Sequence, residues 1–437
     1  IALVTNGSGN ATVVNDAGLT FAASTVGGNL AATATTGNMT DSGTVTVGGN
    51  LAATTDANNG VINLGTLAVD GSVSLHTHGS GNATVVNDAG LNFAASTVGG
   101  NLIATATTGN MTDSGALAIS GTSSFTTSAS GADITLDTTT NAFTGAVALN
   151  TTGSQWDNES ERGDATIDGG TTALDIAAST VGGILTLRSG NASGITDSGT
   201  VTVGNWLVAT TDANNGVINL GTLAVDAGIH LNTHGTGNAT AVNDAGFLFG
   251  GGGSTVGGNL AATATTGNMT DNNNGSVTVA GTSSFTTSQT GADITLDDTD
   301  HAFTGAVTLS TTGSGGHAII DNGTTALIIA ASTIDGDLTL TSGNASGITD
   351  SGTVTVGGDL SATTGANAGV ITLNEMAVDG SFTLAPNGAG AVTIVNDAAL
   401  TLAASTMGGT FSGTATTGNI TQSGALAITG ATTLVTS

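Results

Sequence analysis

Four patterns in this chain use residue types that can do chemistry. The most frequent is an acidic turn. Asp16, Asp41, Asp88, Asp113, Asp197, Asp244, Asp271, Asp350 and Asp397 each stand two places after an apolar residue. If such turns stack in register, like charges come close, which costs energy unless they are screened, protonated or bridged by a hard cation such as Ca2+. The alternative is that each Asp caps its own turn. Leu64, Leu136, Leu220 and Leu373 interrupt the series, and the glycine-rich GGxGxD calcium repeat is missing. The second pattern is the tripeptide Arg162-Gly163-Asp164, a receptor-ligand motif where it sits on an exposed loop. It closes an insertion, 155–164, that the matching segment near Gly315 lacks. The third is His76-x-His78, the beginning of a metal site. Its copies read Asn232-x-His234 and Ala385-x-Asn387, so the pair dissolves within its own repeats. The fourth is Thr-x-Thr, as at Thr33-x-Thr35 and Thr105-x-Thr107, which on a flat sheet can match ice. Its spacing is irregular, as for ordinary β-surface threonine.

Catalysis finds no support in these patterns. Acid–base chemistry needs a distinctive cluster of groups with separated roles. Here almost every carboxylate is a repeated turn residue, and there is no Lys, Tyr or Cys. No catalytic, cofactor-binding or metal-ligating residue is assigned, and Ca2+ is the one ion that the acidic turns could attract. Asn-x-Ser/Thr sequons such as Asn10-Ala11-Thr12 and Asn191-Ala192-Ser193 follow from a composition rich in those residues.

Charge excludes several partners. Arg162 and Arg188 are the only permanent cations against 31 acidic residues, a formal net charge of −29. Nothing here can neutralise phosphates, which excludes nucleic-acid binding by a basic patch and attraction to anionic lipid. No apolar run approaches the ~18 residues that would cross a membrane as a helix. Without cysteine there is no disulfide or thiolate site.

The elements that carry these residues repeat. A segment beginning TDSGTVTVGGNLAATT starts at Thr40, returns at Thr196 and again, more loosely, at Thr349, intervals of 156 and 153 residues. Shorter units lie inside this cycle. They are marked by Val14, Met39, Ile62, Val86, Met111, Ile134, Ile167, Ile195, Ile218, Val242, Met269, Ile294, Ile320, Ile348, Ile371, Val395 and Ile420, mostly 23 to 28 residues apart. Within one unit, Leu117 and Ile119, then Phe125, then Ile134 and Leu136 alternate with polar residues, and Gly and Asp break the runs. Period-two alternation over about five residues marks strands, and 70 glycines with many Asn, Asp, Ser and Thr mark the turns between them. Three short strands cannot bury a core alone, but stacked rungs can. The expected fold is all-β: a right-handed parallel β-helix (β-solenoid), about 25 residues and three strands per coil, with a six-coil super-repeat, continuous over 1–437. A β-sandwich array needs about seven strands per ~100 residues and does not explain the short unit.

Units such as SGNASGITDSGTVTVGGDLSATT and TSSFTTSASGADITLDTTTNAFTGAVALNTTG resemble the β-strand repeats of giant bacterial surface adhesins, the filamentous-haemagglutinin-like and autotransporter-type proteins. That resemblance implies an extracellular, cell-surface fibrous protein of adhesion, biofilm or sheath. The expectation is a stiff acidic structural rod without enzyme activity. The alternative is a binding module for carbohydrate, calcium or a host receptor on such a stalk. The expected partners are further rungs, from the same chain or a second copy stacked end to end, and surface polysaccharide. Ile1–Asn6 aligns with Val73–His78, and Thr433–Ser437 with Ser124–Ser128, so the chain is read as a length of a longer repeat protein.

Overall fold

The structure is a computed structural model that describes every residue except 57–58, 154–160, 213–214, 273–274 and 366–367. It is an all-β parallel solenoid of about 20 turns, divided into two compact units, Ile1–Ala227 and Gly228–Ser437. In each unit the strand pairs are parallel, and each turn crosses from one sheet to the other and back.

A typical turn has an unbroken side and a bent side. Leu30–Ala34 is one five-residue strand, and the bent side comprises Met39–Asp41 and Val45–Val47. Alternation decides what is inside: Leu30, Ala32, Ala34, Met39, Val45 and Val47 are buried, and the residues between them face outward. Leu117, Ile119, Phe125, Ile134 and Leu136 are buried as their spacing predicts. Small aliphatic residues suit the narrow interior, and buried phenylalanines fill it at intervals. Phe93, Phe125 and Phe143 meet edge to face at 6.3 and 5.9 Å, and Phe249, Phe285 and Phe303 repeat the stack at 6.0 and 5.3 Å.

The turn is shorter than the rung expected from the marker spacing. Ala11 pairs with Leu30, Leu30 with Leu51 and Leu51 with Val73, each one turn on. The corner residues Asn10, Asn29, Asn50 and Ser72, linked turn to turn, follow one another at steps of 19, 21 and 22 residues. Across the insertion, the corner step from Asp133 to Asp164 is 31. On one sheet, Met39 leads through the strands of Ile62, Ala83, Leu102, Ser123, Val147 and Leu174 to that of Ile195. The cycle that brings Thr40 back as Thr196 is therefore seven turns, not six coils. The marker residues conceal this because they change sheets. Met39, Ile62 and Val86 lie on one sheet, and Met111, Ile134 and Ile167 on the other. The intervals Val86–Met111 and Ile167–Ile195 thus span one and a half turns. A short turn and a half covers about as much chain as one long turn.

The change of side arises at Ile62–Val69, an eight-residue strand whose register jumps at Gly65-Thr66. It is followed by unbroken strands on both sides, Ser72–Thr77 and Ala83–Asn87. The identical segments ATVVNDAGL at 11–19 and at 83–91 consequently lie on opposite sheets. At the second, Val86 faces outward, while the inward position is taken by Asn87. The Asn87 amide fills the gap left by the bulge. Its Oδ1 accepts the Val69 N–H at 2.8 Å, and its Nδ2 donates to the Val69 and Gly90 carbonyls. Asn396 repeats this with Val378 and Ala399.

Candidate functional site: polar ties between turns

The recurrent aspartates form two groups. In the TDSG-type turns the carboxylate reaches the backbone of the next turn. Asp41 accepts the Gly65 N–H at 3.1 Å, the Thr66 N–H at 2.7 Å and the Thr66 hydroxyl at 2.8 Å. Asp197 does the same at Gly221 and Thr222, and Asp350 accepts the Glu375 N–H. Asp113 and Asp271 accept from the backbone of Thr138 and Asp298. At Asp16, Asp88, Asp244 and Asp397 it is the main-chain carbonyl that is used, by the hydroxyls of Thr36, Thr108, Thr266 and Thr416. The aspartates do not form a stacked column. The register partner one turn earlier is Phe21 for Asp41, Phe93 for Asp113, Ile176 for Asp197, Phe249 for Asp271 and Ile329 for Asp350. Carboxylates therefore do not stack on one another in register at these positions, because the partner one turn earlier is apolar.

A second series of ties runs along the corners. Asn10 Oδ1 accepts the Asn29 N–H, Asn29 Oδ1 the Asn50 N–H, and Asn50 Oδ1 the Ser72 N–H, at 2.8 to 2.9 Å. In the second unit the column reads Asn268, Asp293, His317, Asp337, Asp359, Ser381, each side chain accepting the next backbone N–H at 2.7 to 3.0 Å. The glycine in each Gly-Asn corner has a steric cause: a Cβ on Gly28 or Gly49 would stand 2.3 Å from the accepting amide oxygen. Where the column carries adjacent acids, Asp133 under Asp164, burial raises the Asp133 pKa, the Asp164 N–H bond opposes this, and the Asp164 charge adds to the rise.

Serine supplies a third tie at the bent side. In the motif Ala-Ser-Thr, Ser96 Oγ donates to the Ala94 carbonyl at 2.8 Å and accepts the Leu75 N–H of the preceding turn at 3.1 Å. Ser24, Ser179, Ser332 and Ser405 repeat both bonds. The sequence offers the recurrence of this motif but not its role, since a buried serine and a surface serine look alike in composition.

The longest turns carry a distinct arrangement. Asn141 Oδ1 accepts the Leu117 N–H at 2.8 Å, and its Nδ2 donates to Asp113 Oδ2 at 2.7 Å. His301 occupies the same place in the second unit. Its Nδ1 accepts the Val277 N–H at 2.9 Å, so Nε2 carries the proton and donates to Asp271 Oδ2 at 2.5 Å. The His301 ring is 1% exposed and stacks on Phe303, centroids 5.4 Å apart. Burial pushes the Asp271 carboxyl up, but the hydrogen bond from His301 and the Asp298 N–H outweigh it and hold its pKa below the ordinary carboxylate value. A groove of about 280 Å³ beside the pair is lined by Asp271, Asn272, Asp297, Asp298 and Thr299. Both ring nitrogens are engaged with the preceding turn, Nδ1 as acceptor and Nε2 as donor.

The other expected sites are not brought together. Asp164 of the Arg-Gly-Asp tripeptide belongs to a corner column: its N–H donates to Asp133 and its carboxylate accepts the Ile184 N–H at 2.7 Å. Gly163 is buried. Residues 155–160 of the insertion, with Trp156, lie outside the described residues. His76 on the strand Ser72–Thr77 and His78 just past its end are both exposed, and His76 Nε2 meets Ser74 Oγ at 2.9 Å. Among the described residues no group of three or more His, Asp or Glu side chains is placed to hold a metal ion. Outward threonines form columns only in stretches, such as Thr349, Thr372, Thr393, Ser412 and Thr433. No helix is long and apolar enough to cross a membrane, among the described residues.

The chain belongs to a family of repeats of unknown function (DUF5649), whose pattern matches residues 8–75, 80–150, 236–310, 315–385 and 389–437. No curated protein matches it. No solved structure matches it.

Proposed function

We propose that this chain is a structural and adhesive extracellular protein of bacterial type, a stiff acidic element of a filament, sheath or biofilm matrix at the cell surface. The observation that supports this reading is the use of the polar residues. The recurrent carboxylates and amides hold the backbone of the neighbouring turn, and they do so in copy after copy. A role in which the scaffold is itself the product needs only this repetition. The role is non-catalytic. The resemblance to filamentous-haemagglutinin-like adhesins points to the same place and task. Its partners are further turns of the same kind, from the same chain or a second copy, because successive turns pair in register through their backbone N–H and C=O groups, together with surface polysaccharide.

Electron microscopy of the native material tests the proposal directly. Thin, straight fibres labelled at the cell surface by an antibody to this chain are the expected result. Compact particles confined to the cytoplasm would overturn it.

A further inference from the structure

The Asn141 and His301 sites differ in one chemical respect: an amide does not take up a proton in the physiological range, and an imidazole does. Both side chains perform two tasks. They accept the N–H that opens a strand of the preceding turn, Leu117 or Val277, and they donate to that turn's aspartate. The donor task survives protonation, but the acceptor task does not, since an imidazolium has no lone pair left.

We propose that His301 is an acid-operated release for the start of the strand Val277–Val279. A proton taken from solvent at Nδ1 ends its acceptance of the Val277 N–H and leaves the Nε2–H bond to Asp271 in place. The buried Val277 N–H then has no acceptor and the strand start opens.

The surroundings favour this reaction in the second unit. Asp271 faces the ring from the preceding turn, Asp297, Asp298 and Asp300 share its own bend, and Asp321 approaches from the following turn. The first unit has Asp113, Asp137 and Asp168 at the corresponding places, but Thr138 and Thr140 where the second has Asp298 and Asp300. The histidine thus arrives together with two extra carboxylates in the same bend. The low pKa of Asp271 keeps the nearest of them ionised as the medium acidifies. The strand start is also connected outward: Ser276 receives the Ser254 N–H at 2.9 Å, so the Gly250–Gly253 bend one turn earlier rests on the segment that is released.

Residue-resolved amide hydrogen exchange on the full chain tests this, with Leu117 as the control within the same molecule. After correction for intrinsic rates, the Val277 amide is expected to exchange at least ~10-fold faster at about pH 5 than at about pH 8, while Leu117 keeps its protection. His301→Asn is expected to abolish the difference. Equal behaviour of Val277 and Leu117, unchanged protection of Val277, or a response that persists in H301N overturns the proposal. Side-chain 15N spectra of the unmodified chain give an independent reading. They must show Nδ1 protonation in step with Val277 exposure, and a ring that stays in the Nε2–H form while Val277 opens refutes it.

Discussion

Asn141 and His301 are the same part made from different side chains: each takes a backbone N–H from the turn before with one atom and returns a hydrogen bond to that turn's aspartate with another. The paired distances nearly coincide, so the geometry of the long turn is set by the two-point link and not by the group that makes it. At neutral pH, His301→Asn should therefore leave stability within about 1 kcal/mol, whereas His301→Ala should cost about 2–4 kcal/mol by leaving a buried amide and a buried carboxylate without partners. Chemical denaturation of the two variants at about pH 8 separates these outcomes.

The carboxylate ties predict independence from metal. Asp41→Ala and Asp197→Ala should each cost about 1–3 kcal/mol, because two backbone N–H groups and a hydroxyl lose one acceptor. Chelator or added Ca2+ should leave the melting temperature of the unmodified chain where it is. A rise of several degrees with Ca2+ would show that the carboxylates bind a cation in addition to the backbone.

Two kinds of buried serine should respond in opposite directions. Ser96→Ala removes both an acceptor and a donor at the bend and should cost about 1–3 kcal/mol. Ser123 and Ser283 are also buried, between Leu102 and Val147 and between Leu260 and Val307, but their Oγ atoms have no hydrogen-bond partner. Ser123→Ala and Ser283→Ala should therefore be neutral or stabilise by about 1 kcal/mol. Thermal melts of the single variants decide the matter by sign alone.

Acidic pH should help at two positions. Burial raises the pKa of Asp168 and of Asp321 above 3.8, only partly offset by the Gly170 and Gly323 N–H bonds. A group whose folded pKa is raised favours the fold fully below about 3.8 and loses that contribution as pH rises through the folded value. Ionisation at neutral pH thus weakens the fold here. Asp168→Asn and Asp321→Asn keep the accepting oxygen and should raise the melting temperature at pH 7, with the advantage shrinking as pH falls below the folded values toward about 3.8. An advantage that is constant across pH would assign it to some cause other than charge.

The strand faces were legible because burial follows period-two alternation: Leu117, Ile119 and Phe125 point inward where the pattern puts them. The turn count was not. Turn length varies from 19 residues at the Asn10–Asn29 corner to 31 at Asp133–Asp164, and the markers change sheets. The aspartates were recognised as a series, but their partners lie on the next turn, as for Asp41 and Thr66, at a separation that depends on the turn length itself. Ser96 and Asn87 escaped notice because a polar residue at an inward position reads as a break in the alternation. Each instead repairs a gap in the backbone bonding that the bend or bulge has opened.

The segments 11–19 and 83–91 share one sequence yet lie on opposite sheets. Either side of the interior can therefore take the same segment, and a copy shifted by half a turn fits where a bulged strand such as Ile62–Val69 makes the change of side. For a gene that lengthens by unequal recombination, this halves the smallest step that keeps the product foldable. A duplicated stretch need not encode a whole number of turns, provided that it carries a bulged strand with it.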